Sequence, residues 1–462
     1  MDRPGGSNGP LRVAVVGAGP AGIYATGALV AAPLPVSVDV FEALPVPFGL
    51  VRYGVAPDHP KIQSVSTVLA EILSSPDARF LGNVTYGTDL TADDLARHYH
   101  AVIHATGSAN ERNLGIPGEH LEGSFAAADF VAWYNGHPWA AAREFLGAQE
   151  VVVVGAGNVA LDVARMLVTP AEALVTTDIP HHVLEAWRSI AVSDVYLLSR
   201  RGPAYAKFTT LELREMADLD GVDLIVDPAD LELDPASELA VGMNRVARRN
   251  VDVLRGWPNR PLTGAARRVH FRFWTRPVEI LGSEHVDGVA VERTAIDSEG
   301  ALVGSGRGER LPAQAVFRAV GYAGRSLQGL PFDDVSSTVP SDEGRVAGPD
   351  HAGVYVAGWI KRGPTGVIGT NKGDAAETVR SLLADAPRLP RPPEPDPDAV
   401  TALLERRGVR YLRWDQWLLL DAHETAEGTR RGRPRLKVCS VDDMLAIARR
   451  APPATMSTCP PS

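Results

Sequence analysis

Cysteine is scarce in this sequence, because Cys439 and Cys459 are the only two among 462 residues. Two cysteines exclude a four-cysteine iron-sulfur or zinc site and a disulfide framework, so any metal chemistry has to belong to a partner. The chain also lacks a run of about twenty apolar residues, which a membrane-spanning helix needs. Residues Met1–Pro10 have no apolar region of the signal-peptide kind, and we therefore expect a cytoplasmic location.

Positive charge is in deficit, with a formal net charge of −10. This balance argues against general binding to nucleic acids or anionic membranes, and it favours solubility. The composition is otherwise that of a globular protein, with 45% hydrophobic and 22% charged residues. A chain of this length predicts two or more domains, each with a sizeable core.

Two short apolar runs, Val13–Val16 and Val151–Val154, each lead into a glycine turn. Continuous β-branched runs are typical of parallel strands covered on both faces, so we expect an α/β protein with two nucleotide-binding starts. Residues Thr210–Arg260 are charged and largely helical in pattern, with Leu211, Leu213 and Met216 as candidate core positions. Further strands are predicted at Val269–Trp274, Val286–Arg293, Ala315–Val320 and Val354–Ala357.

The first glycine turn has the pattern G-x-G-x-x-G at Gly17, Gly19 and Gly22. After a strand and before a helix, this pattern lets backbone N–H groups approach a pyrophosphate. The next predicted strand ends at Glu42, where a carboxylate would bind ribose hydroxyls and repel a 2′-phosphate. We therefore predict a site for FAD or NAD, with a glycine turn that binds nothing as the alternative.

The second glycine turn has Gly155, Gly157 and, at the last position, Ala160, which the fingerprint permits. The strand that follows ends without an acid and leads into Arg200 and Arg201. Two guanidinium groups there can pair with a 2′-phosphate, so this turn predicts NADP. A solvated pair of loop arginines is the alternative.

Four long motifs resemble one family. They are PFGLVRYGVAPDHP at 47–60, GNVALDVAR at 157–165, RRGP at 200–203 and GWIKRGPTGVIG at 358–369. Together they resemble the adrenodoxin-reductase type of ferredoxin–NADP reductase, in particular its actinobacterial members. The resemblance extends from about Leu11 to Leu383 and includes Trp414 and residues 432–437 in the C-terminal segment.

The resemblance implies a glutathione-reductase-like fold of two Rossmann-like domains, in which an NADP domain is inserted into a discontinuous FAD domain. The expected division is 1–108 for the first part of the FAD domain, 109–322 for the NADP domain, 323–388 for the second part of the FAD domain, 389–399 for a linker, 400–450 for a C-terminal segment packed on the body and 451–462 for a flexible tail. The implied activity is electron transfer between NADPH, FAD and a ferredoxin.

The resemblance also implies cofactor contacts beyond the glycines. The FAD contacts expected from it are Ala21, Glu42, Leu50, Val84, Trp359, Gly366, Val367 and Ile368. The NADP contacts are Gly157, Asn158, Val159, Ala160, Arg200, Arg201, Glu212 and Gly366. The turn at 365–368 precedes a predicted helix, so its N–H groups could stabilise negative charge on a reduced flavin ring.

Two residues are candidates for the reacting centre. The resemblance implies that His59 lies beside the flavin ring and that Glu212 lies near the nicotinamide carboxamide. From residue type alone, His59 would instead be a structural histidine in a proline-flanked loop, and Glu212 part of a solvated helical face. The cofactors carry the reaction, so the protein is expected to supply position and electrostatics.

A basic segment contains Arg245, Arg248, Arg249 and Arg255 and resembles the ferredoxin-docking side of the family. Such a patch could steer a small acidic partner despite the negative total charge. A solvent-facing run of charges is the alternative interpretation.

Other functions make different demands on the sequence. A disulfide reductase of this architecture would need a paired-cysteine motif near the flavin, which is missing. The small subunit of glutamate synthase would need an N-terminal cysteine-rich domain, and no cysteine precedes Gly17. A general NADPH diaphorase or an NADP-sensing protein without a ferredoxin partner stays open as an alternative.

Overall fold

The computed structural model describes residues 9–108, 110–140 and 146–450. These residues divide into two compact units. The first unit contains the described residues up to Val55, residues His59–Asn110 and those from Ala323 onward, and the second contains Ala56–Asp58 and Glu111–Tyr322. Short strands Asn110–Glu111 and Tyr322–Ala323 pair with each other where the chain passes from one unit to the other.

The first unit is built on an eight-stranded sheet. In sheet order its strands are Ser341–Asp342, Arg345–Val346, Val354–Val356, Ala101–His104, Leu11–Val16, Val36–Glu42, Ala78–Gly82 and Leu412–Arg413. The five central strands are parallel. All six residues of Leu11–Val16 are buried, as a continuous apolar run predicts for a parallel strand with both faces covered. The order reverses at Leu11–Val16, so ligands are expected at the carboxyl end of this strand.

The helices of the first unit cover both faces of this sheet. Their bounds are Pro20–Val30, Leu50–Tyr53, Pro60–Gln63, Val65–Leu73, Ala92–His98, Trp359–Arg362, Thr370–Asp385, Pro397–Arg406, Trp414–Thr429 and Val441–Ala448, with short 3-10 turns at Pro349–His351 and Ala386–Arg388. Val13, Val15, Val38 and Val40 form the centre of the main core, at 1% exposure or less. The sheet thus fixes the edge at which the first glycine turn lies.

The second unit contains a six-stranded parallel sheet. In sheet order its strands are Ser124–Ala126, Ala315–Arg318, Glu150–Val154, Asp194–Leu198, Arg267–Arg272 and Val222–Val226. A separate antiparallel sheet joins Thr275–Leu281, Gly288–Ile296 and Leu302–Pro312. The helices are Ala127–Tyr134, Asn158–Val168, Ala171–Leu174, His181–Trp187, Thr210–Ala217, Pro235–Met243 and Arg245–Arg255, with 3-10 turns at Pro203–Tyr205 and Pro228–Leu231.

The predicted helical region 210–260 is partly wrong. Its residues Val222–Val226 form an edge strand that pairs in parallel with Arg267–Arg272. Leu213 and Met216 are buried as predicted, whereas Leu211 is 62% exposed and does not belong to the core. The short run at 222–226 forms a strand because the neighbouring strand Arg267–Arg272 offers backbone groups for hydrogen bonds. Val222 is paired with Arg267, which lies 45 residues later in the sequence.

The proline-rich segment expected at 389–399 follows the surface of the first unit. The backbone N–H of Glu394 donates to the carbonyl of Arg97 at 3.0 Å, and the ring of His98 is 3.0 Å from the carbonyl of Glu394. A helix already begins at Pro397. In the following segment Leu412, Trp417 and Leu420 are buried in the first unit. The expected flexible tail 451–462, with Cys459, lies outside the described residues.

Among the described residues, no helix has both the length and the apolar character that a bilayer-spanning segment needs.

Candidate nucleotide sites

The two glycine turns share one backbone arrangement. In the first unit the N–H of Gly17 donates to the carbonyl of Phe41 at 2.7 Å, and the N–H of Ala105 donates to that of Val16 at 2.7 Å. In the second unit the N–H of Gly155 donates to the carbonyl of Leu198 at 3.0 Å. Each turn is therefore tied to the end of the strand beside it, and a helix starts directly after it.

The three glycines of the first turn have different steric roles. Gly17 has φ +111°, and a Cβ there would lie 2.5 Å from the carbonyl oxygen of Ala105. A Cβ on Gly22 would lie 1.9 Å from the carbonyl oxygen of Gly17, so the packing of helix on turn requires glycine. A Cβ on Gly19 would meet no atom within 4 Å. Folding does not require glycine at Gly19, and a ligand that approaches the backbone there explains it.

The second turn repeats this pattern. Gly155 has φ +151°, and its Cβ would lie 2.3 Å from the carbonyl oxygen of Ala319. A Cβ on Gly157 would enter open space. Helices Pro20–Val30 and Asn158–Val168 begin at Gly19 and Gly157 without a side-chain cap, so their first N–H groups remain available to an anion. Both turns therefore fit a pyrophosphate.

Glu42 lies at the carboxyl end of the strand beside the first turn. Its carboxylate accepts a 2.8 Å hydrogen bond from the N–H of Ala18 and a 3.2 Å bond from that of Leu44. Burial raises the pKa of Glu42, and the bonds from backbone N–H groups, with Ala18 the largest, oppose that rise. A carboxylate has about four acceptor positions, so these bonds leave room for a ribose hydroxyl.

Arg200 and Arg201 follow the corresponding strand of the second unit, and both side chains are exposed. Their backbone is fixed, because Thr294 donates to the carbonyl of Arg200 and Ser199 to that of Arg201, each at 2.8 Å. The guanidinium of Arg201 lies 5.2 Å from the ring centre of Tyr205. Within the described parts of the chain neither arginine forms an ion pair, so both cations are available to a phosphate.

The remaining FAD candidates of the first unit come together around its glycine turn. The N–H of Val84 donates to the carbonyl of Glu42 at 2.8 Å, which places Val84 beside Glu42. Ala21 lies in the first turn of the helix, where a Cβ on Gly358 would be 2.5 Å from its own Cβ. The turn that carries Trp359 therefore contacts the same helix start.

The turn at 363–369 is held by the side chains around it. Arg362 donates to the carbonyl of Thr365 and, at 2.7 Å, to Asn371, whose amide donates to the carbonyl of Ile368 at 3.1 Å. The N–H of Val367 already donates to Thr370 at 3.1 Å. Those of Gly366 and Ile368 have no acceptor among the described residues. Of the four N–H groups at 365–368, those of Gly366 and Ile368 are thus available to a ligand, and those of Thr365 and Val367 are used by the protein.

Asn158 also has a structural contact. Its Oδ1 accepts a 2.8 Å hydrogen bond from the N–H of Thr209, which caps helix Thr210–Ala217. The predicted contact with a nucleotide stays a prediction, and both the backbone N–H and the side-chain amide of Asn158 could provide it. Val159 and Ala160 follow in the first turn of the helix, and Ala160 is fully buried.

Glu212 is buried rather than on a solvated face. Burial, the charges of Glu212 and Glu215 and a side-chain hydrogen bond with Glu212 raise the pKa of Asp162 well above its ordinary value. Asp162 also pairs with Arg165 at 2.6 Å. The second unit therefore brings two buried acids, Asp162 and Glu212, into hydrogen-bond contact, and Asp162 lies on the helix that starts at the glycine turn.

Asp162 and Arg165 were not among the predicted site residues. Both lie in the motif at 157–165, three residues apart in an otherwise apolar helix, and that spacing was the available signal. His59, the other candidate for the reacting centre, is buried in the first unit and precedes the short helix Pro60–Gln63. Leu50, the first residue of helix Leu50–Tyr53, is 39% exposed.

Comparison with known proteins agrees with this geometry. Residues 11–227 match the family model described as pyridine nucleotide-disulphide oxidoreductase. The NADPH-ferredoxin reductase FprA of Mycobacterium tuberculosis is 44% identical over 95% of this chain and 99% of its own length. The mitochondrial NADPH:adrenodoxin oxidoreductase of Arabidopsis thaliana is 37% identical over 96% of each chain.

A solved structure titled as Mycobacterium tuberculosis FprA in complex with NADPH superposes with a TM-score of 0.89, at 44% identity, over 95% of this chain and 99% of that one. The predicted α/β fold class with two Rossmann-like regions is confirmed. The predicted resemblance is confirmed as well: this chain belongs to the family of NADPH-ferredoxin and NADPH:adrenodoxin reductases.

Proposed function

We propose that this chain is a ferredoxin–NADP(+) reductase, an FAD-dependent oxidoreductase that passes electrons from NADPH to a ferredoxin-type iron-sulfur protein. The observation that carries the proposal is the chemical difference between the two strand ends: an acid, Glu42, beside one glycine turn, and two cations, Arg200 and Arg201, beyond the other. The names of its relatives, NADPH-ferredoxin reductase and NADPH:adrenodoxin oxidoreductase, agree with NADPH as one of the nucleotides and with the class of partner.

The first unit would hold FAD. The open space at Gly19 and the uncapped helix start fit the pyrophosphate, and the carboxylate of Glu42 would accept from the ribose hydroxyls. The free N–H groups of Gly366 and Ile368 would face developing negative charge on the flavin ring. Trp359, Leu50, Val84 and Ala21 would supply apolar contacts.

The second unit would hold NADP(H). Gly157 and the helix that follows it fit the pyrophosphate, and Arg200 and Arg201 would form charge-assisted hydrogen bonds with the 2′-phosphate. An acid at this strand end would repel that phosphate, and none is present. Glu212, which is hydrogen-bonded to Asp162, would bind the nicotinamide carboxamide, and His59 would contact the flavin ring.

Bound FAD would supply the redox chemistry that links the two-electron donor NADPH to a one-electron acceptor. The task of the residues named here is to bind, orient and hold charge. Burial and the charge of Glu212 raise the pKa of Asp162, which favours one negative charge on this pair over two. A pair that shares one proton would offer both a hydrogen-bond donor and an acceptor to an amide.

The ferredoxin would dock on helix Arg245–Arg255. Ala247, Val251 and Leu254 of this helix are buried, which leaves Arg245, Arg248, Arg249 and Arg255 exposed on other faces. In the described residues none of these four arginines has an ion-pair partner. Exposed apolar side chains lie alongside at Leu239, Met243 and Val246, and Met243 is 82% exposed. Apolar contact surrounded by unpaired positive charge fits a small acidic protein.

Charge reversal tests this docking surface. The double variant Arg248→Glu/Arg249→Glu should slow ferredoxin reduction by about tenfold or more at low salt, because electrostatic steering is lost. Reduction of ferricyanide by NADPH should not change. The control is Arg449→Glu/Arg450→Glu, an exposed pair in the first unit with the same charge change. Equal loss in both variants, or no loss in the first, would contradict the assignment.

The function itself is tested by rapid mixing of the yellow protein with NADPH and with NADH, followed by a panel of ferredoxins from the same organism. Bleaching of the flavin by NADPH and reoxidation by a ferredoxin support the proposal. Reoxidation by oxygen or quinones alone would favour a general diaphorase, and a colourless protein would favour NADP sensing.

A cytoplasmic location stays a prediction from the sequence.

A further inference from the structure

The segment Phe48–Tyr53 lies directly on the first glycine turn. The N–H of Phe48 donates to the carbonyl of Ala18 at 2.8 Å. A Cβ added to Gly49 would lie 3.1 Å from the Cα of Gly19, the glycine that faces open space. Whatever fixes this segment therefore also shapes the proposed FAD site.

The conformation of this segment is not one that the chain adopts by itself. Phe48 has φ +83°, which is rare for a residue with a side chain, and Gly49 has φ +49° with ψ −125°. Backbone in such sparsely populated regions persists only when the surroundings fix it. The contacts around Phe48–Tyr53 must therefore supply that restraint.

Most of these contacts come from the C-terminal segment. The two terminal guanidinium nitrogens of Arg52 donate to the carboxylate of Glu424, at 2.5 and 3.0 Å. Glu424 lies 372 residues later in the sequence. The Nζ of Lys437 donates to the carbonyl of Arg52 at 3.1 Å. The ring of Phe48 meets that of Trp417 edge-on, 6.0 Å between centres. The segment is thus restrained through a side chain, a carbonyl and a ring.

Glu424 is itself rigidly placed. It is fully buried and accepts two further hydrogen bonds, from Arg435 at 2.8 Å and from the N–H of Val438 at 2.9 Å. A buried ion pair contributes little net stability compared with apolar residues of the same volume, because both ions lose their hydration. What it does provide here is a single, bidentate geometry for Arg52.

We propose that Glu424 is a positioning residue for FAD: through Arg52 it fixes the segment Phe48–Tyr53 against the first glycine turn. The C-terminal segment then has a role in cofactor binding, although it contributes no residue of the glycine fingerprint. The inference rests on the proposed FAD site in the first unit.

The test compares two buried carboxylates that each bridge two arginines. Glu424→Gln removes the charge and keeps the shape. The control Asp39→Asn does the same where Asp39 pairs with Arg12 at 2.7 Å and Arg79 at 2.8 Å, away from the segment. FAD is removed, the apoprotein is titrated with FAD, and the dissociation constant, the flavin absorption bands and the melting temperature of the apoprotein are measured.

We expect both variants to lower the melting temperature of the apoprotein. Only Glu424→Gln should weaken FAD, by about tenfold or more, and shift the flavin bands, whereas the control should stay within about twofold. Equal FAD affinities for Glu424→Gln and the unaltered protein, or equal losses in both variants, would overturn the role of Glu424. A wild-type protein that takes up no FAD would instead overturn the proposed function.

A second variant decides the matter if Glu424→Gln does not fold. Lys437→Met leaves the Arg52–Glu424 pair in place and removes the hydrogen bond to the carbonyl of Arg52. It should weaken FAD by a few-fold, about three to ten. Unchanged affinity for FAD in a folded Lys437→Met protein would overturn the proposal, because loss of a contact from the C-terminal segment to Arg52 would then leave the FAD site unaffected.

Discussion

The two glycine turns of this molecule have nearly the same backbone, but the strands beside them lead into side chains of opposite charge. In both, the N–H of the first glycine donates to a carbonyl near the end of the neighbouring strand, an uncapped helix begins, and open space remains at the second glycine. They differ at the following strand end, where one has Glu42 and the other Arg200 and Arg201. Under the proposed function the comparison teaches that the backbone would provide for the pyrophosphate, which dinucleotides share, while a few side chains would select the ribose.

The turns also differ at the third fingerprint position. The first has Gly22, where a Cβ would meet a carbonyl oxygen, and the second has Ala160, which is fully buried without strain on the helix. The same motif position is therefore sterically closed in one unit and open in the other. Requirements of folding and requirements of a ligand can thus be separated glycine by glycine.

The largest effect is expected when the first turn is altered one glycine at a time. Gly22→Ala should prevent the first unit from folding, because its Cβ would lie 1.9 Å from the carbonyl oxygen of Gly17. Gly19→Ala should fold normally and lose FAD, because the methyl group occupies space in which the protein has no atom within 4 Å. Melting curves and the FAD content of each purified chain measure the two outcomes.

The second unit supplies controls for that series. Gly157→Ala should retain FAD and weaken NADP(H). Ala160→Gly should lose about 1 kcal/mol of stability from helix propensity and keep both nucleotides. A Gly19→Ala protein with full FAD content would show that the open space at this glycine is not where the cofactor approaches.

A smaller effect is expected from the strand ends. Each charge-assisted hydrogen bond is worth about 1.5–3 kcal/mol. Arg200→Ala/Arg201→Ala should therefore lower kcat/KM for NADPH by about a hundredfold or more, and that for NADH should change little. Steady-state rates with ferricyanide measure both values. Equal use of NADPH and NADH by the unaltered protein would refute the assignment of these arginines.

The smallest effect concerns pH, because one strand end titrates and the other does not. Burial raises the pKa of Glu42, so the apoprotein takes up a proton here at a higher pH than the unfolded chain, and this contribution to apoprotein stability is lost as pH rises through the folded pKa. Ribose hydroxyls bind the ionised carboxylate. FAD affinity should fall several-fold as pH falls through that pKa.

Fluorescence titrations of FAD between about pH 4 and 8 measure this dependence. Glu42→Gln should bind FAD more weakly and without the pH-dependent step, because an amide does not titrate. A step of unchanged size in Glu42→Gln would assign the titration to another group.

Local signals sufficed to predict the fold class, and they located the residues from which the ribose selectivity is proposed. The strands Leu11–Val16 and Glu150–Val154 are short apolar runs that end at glycines, and their partners can be recognised within one βαβ unit. Glu42 and Arg200 could be found because they follow the next strand at a fixed distance. These features depend on a few dozen consecutive residues.

Features that depend on distant residues could not be predicted in this way. The edge strand Val222–Val226 needs a partner from 267–272, and the raised pKa of Asp162 needs a second helix that brings Glu212 beside it. The pairing of Arg52 with Glu424 joins residues 372 positions apart. In each case the sequence supplies both partners without indicating that they meet.

The position of strand Val354–Val356 has a consequence for how the chain folds during its synthesis on the ribosome. This strand completes the central sheet of the first unit by pairing with Ala101–His104, and about 250 residues separate the two in the chain. Because synthesis proceeds from the N-terminus, the nearly continuous second unit emerges whole while the first still waits for its last central strand. The unit whose synthesis begins first is therefore the unit that is completed last. A nascent chain interrupted before residue 354 would leave the backbone groups along one edge of strand Ala101–His104 without their partner strand.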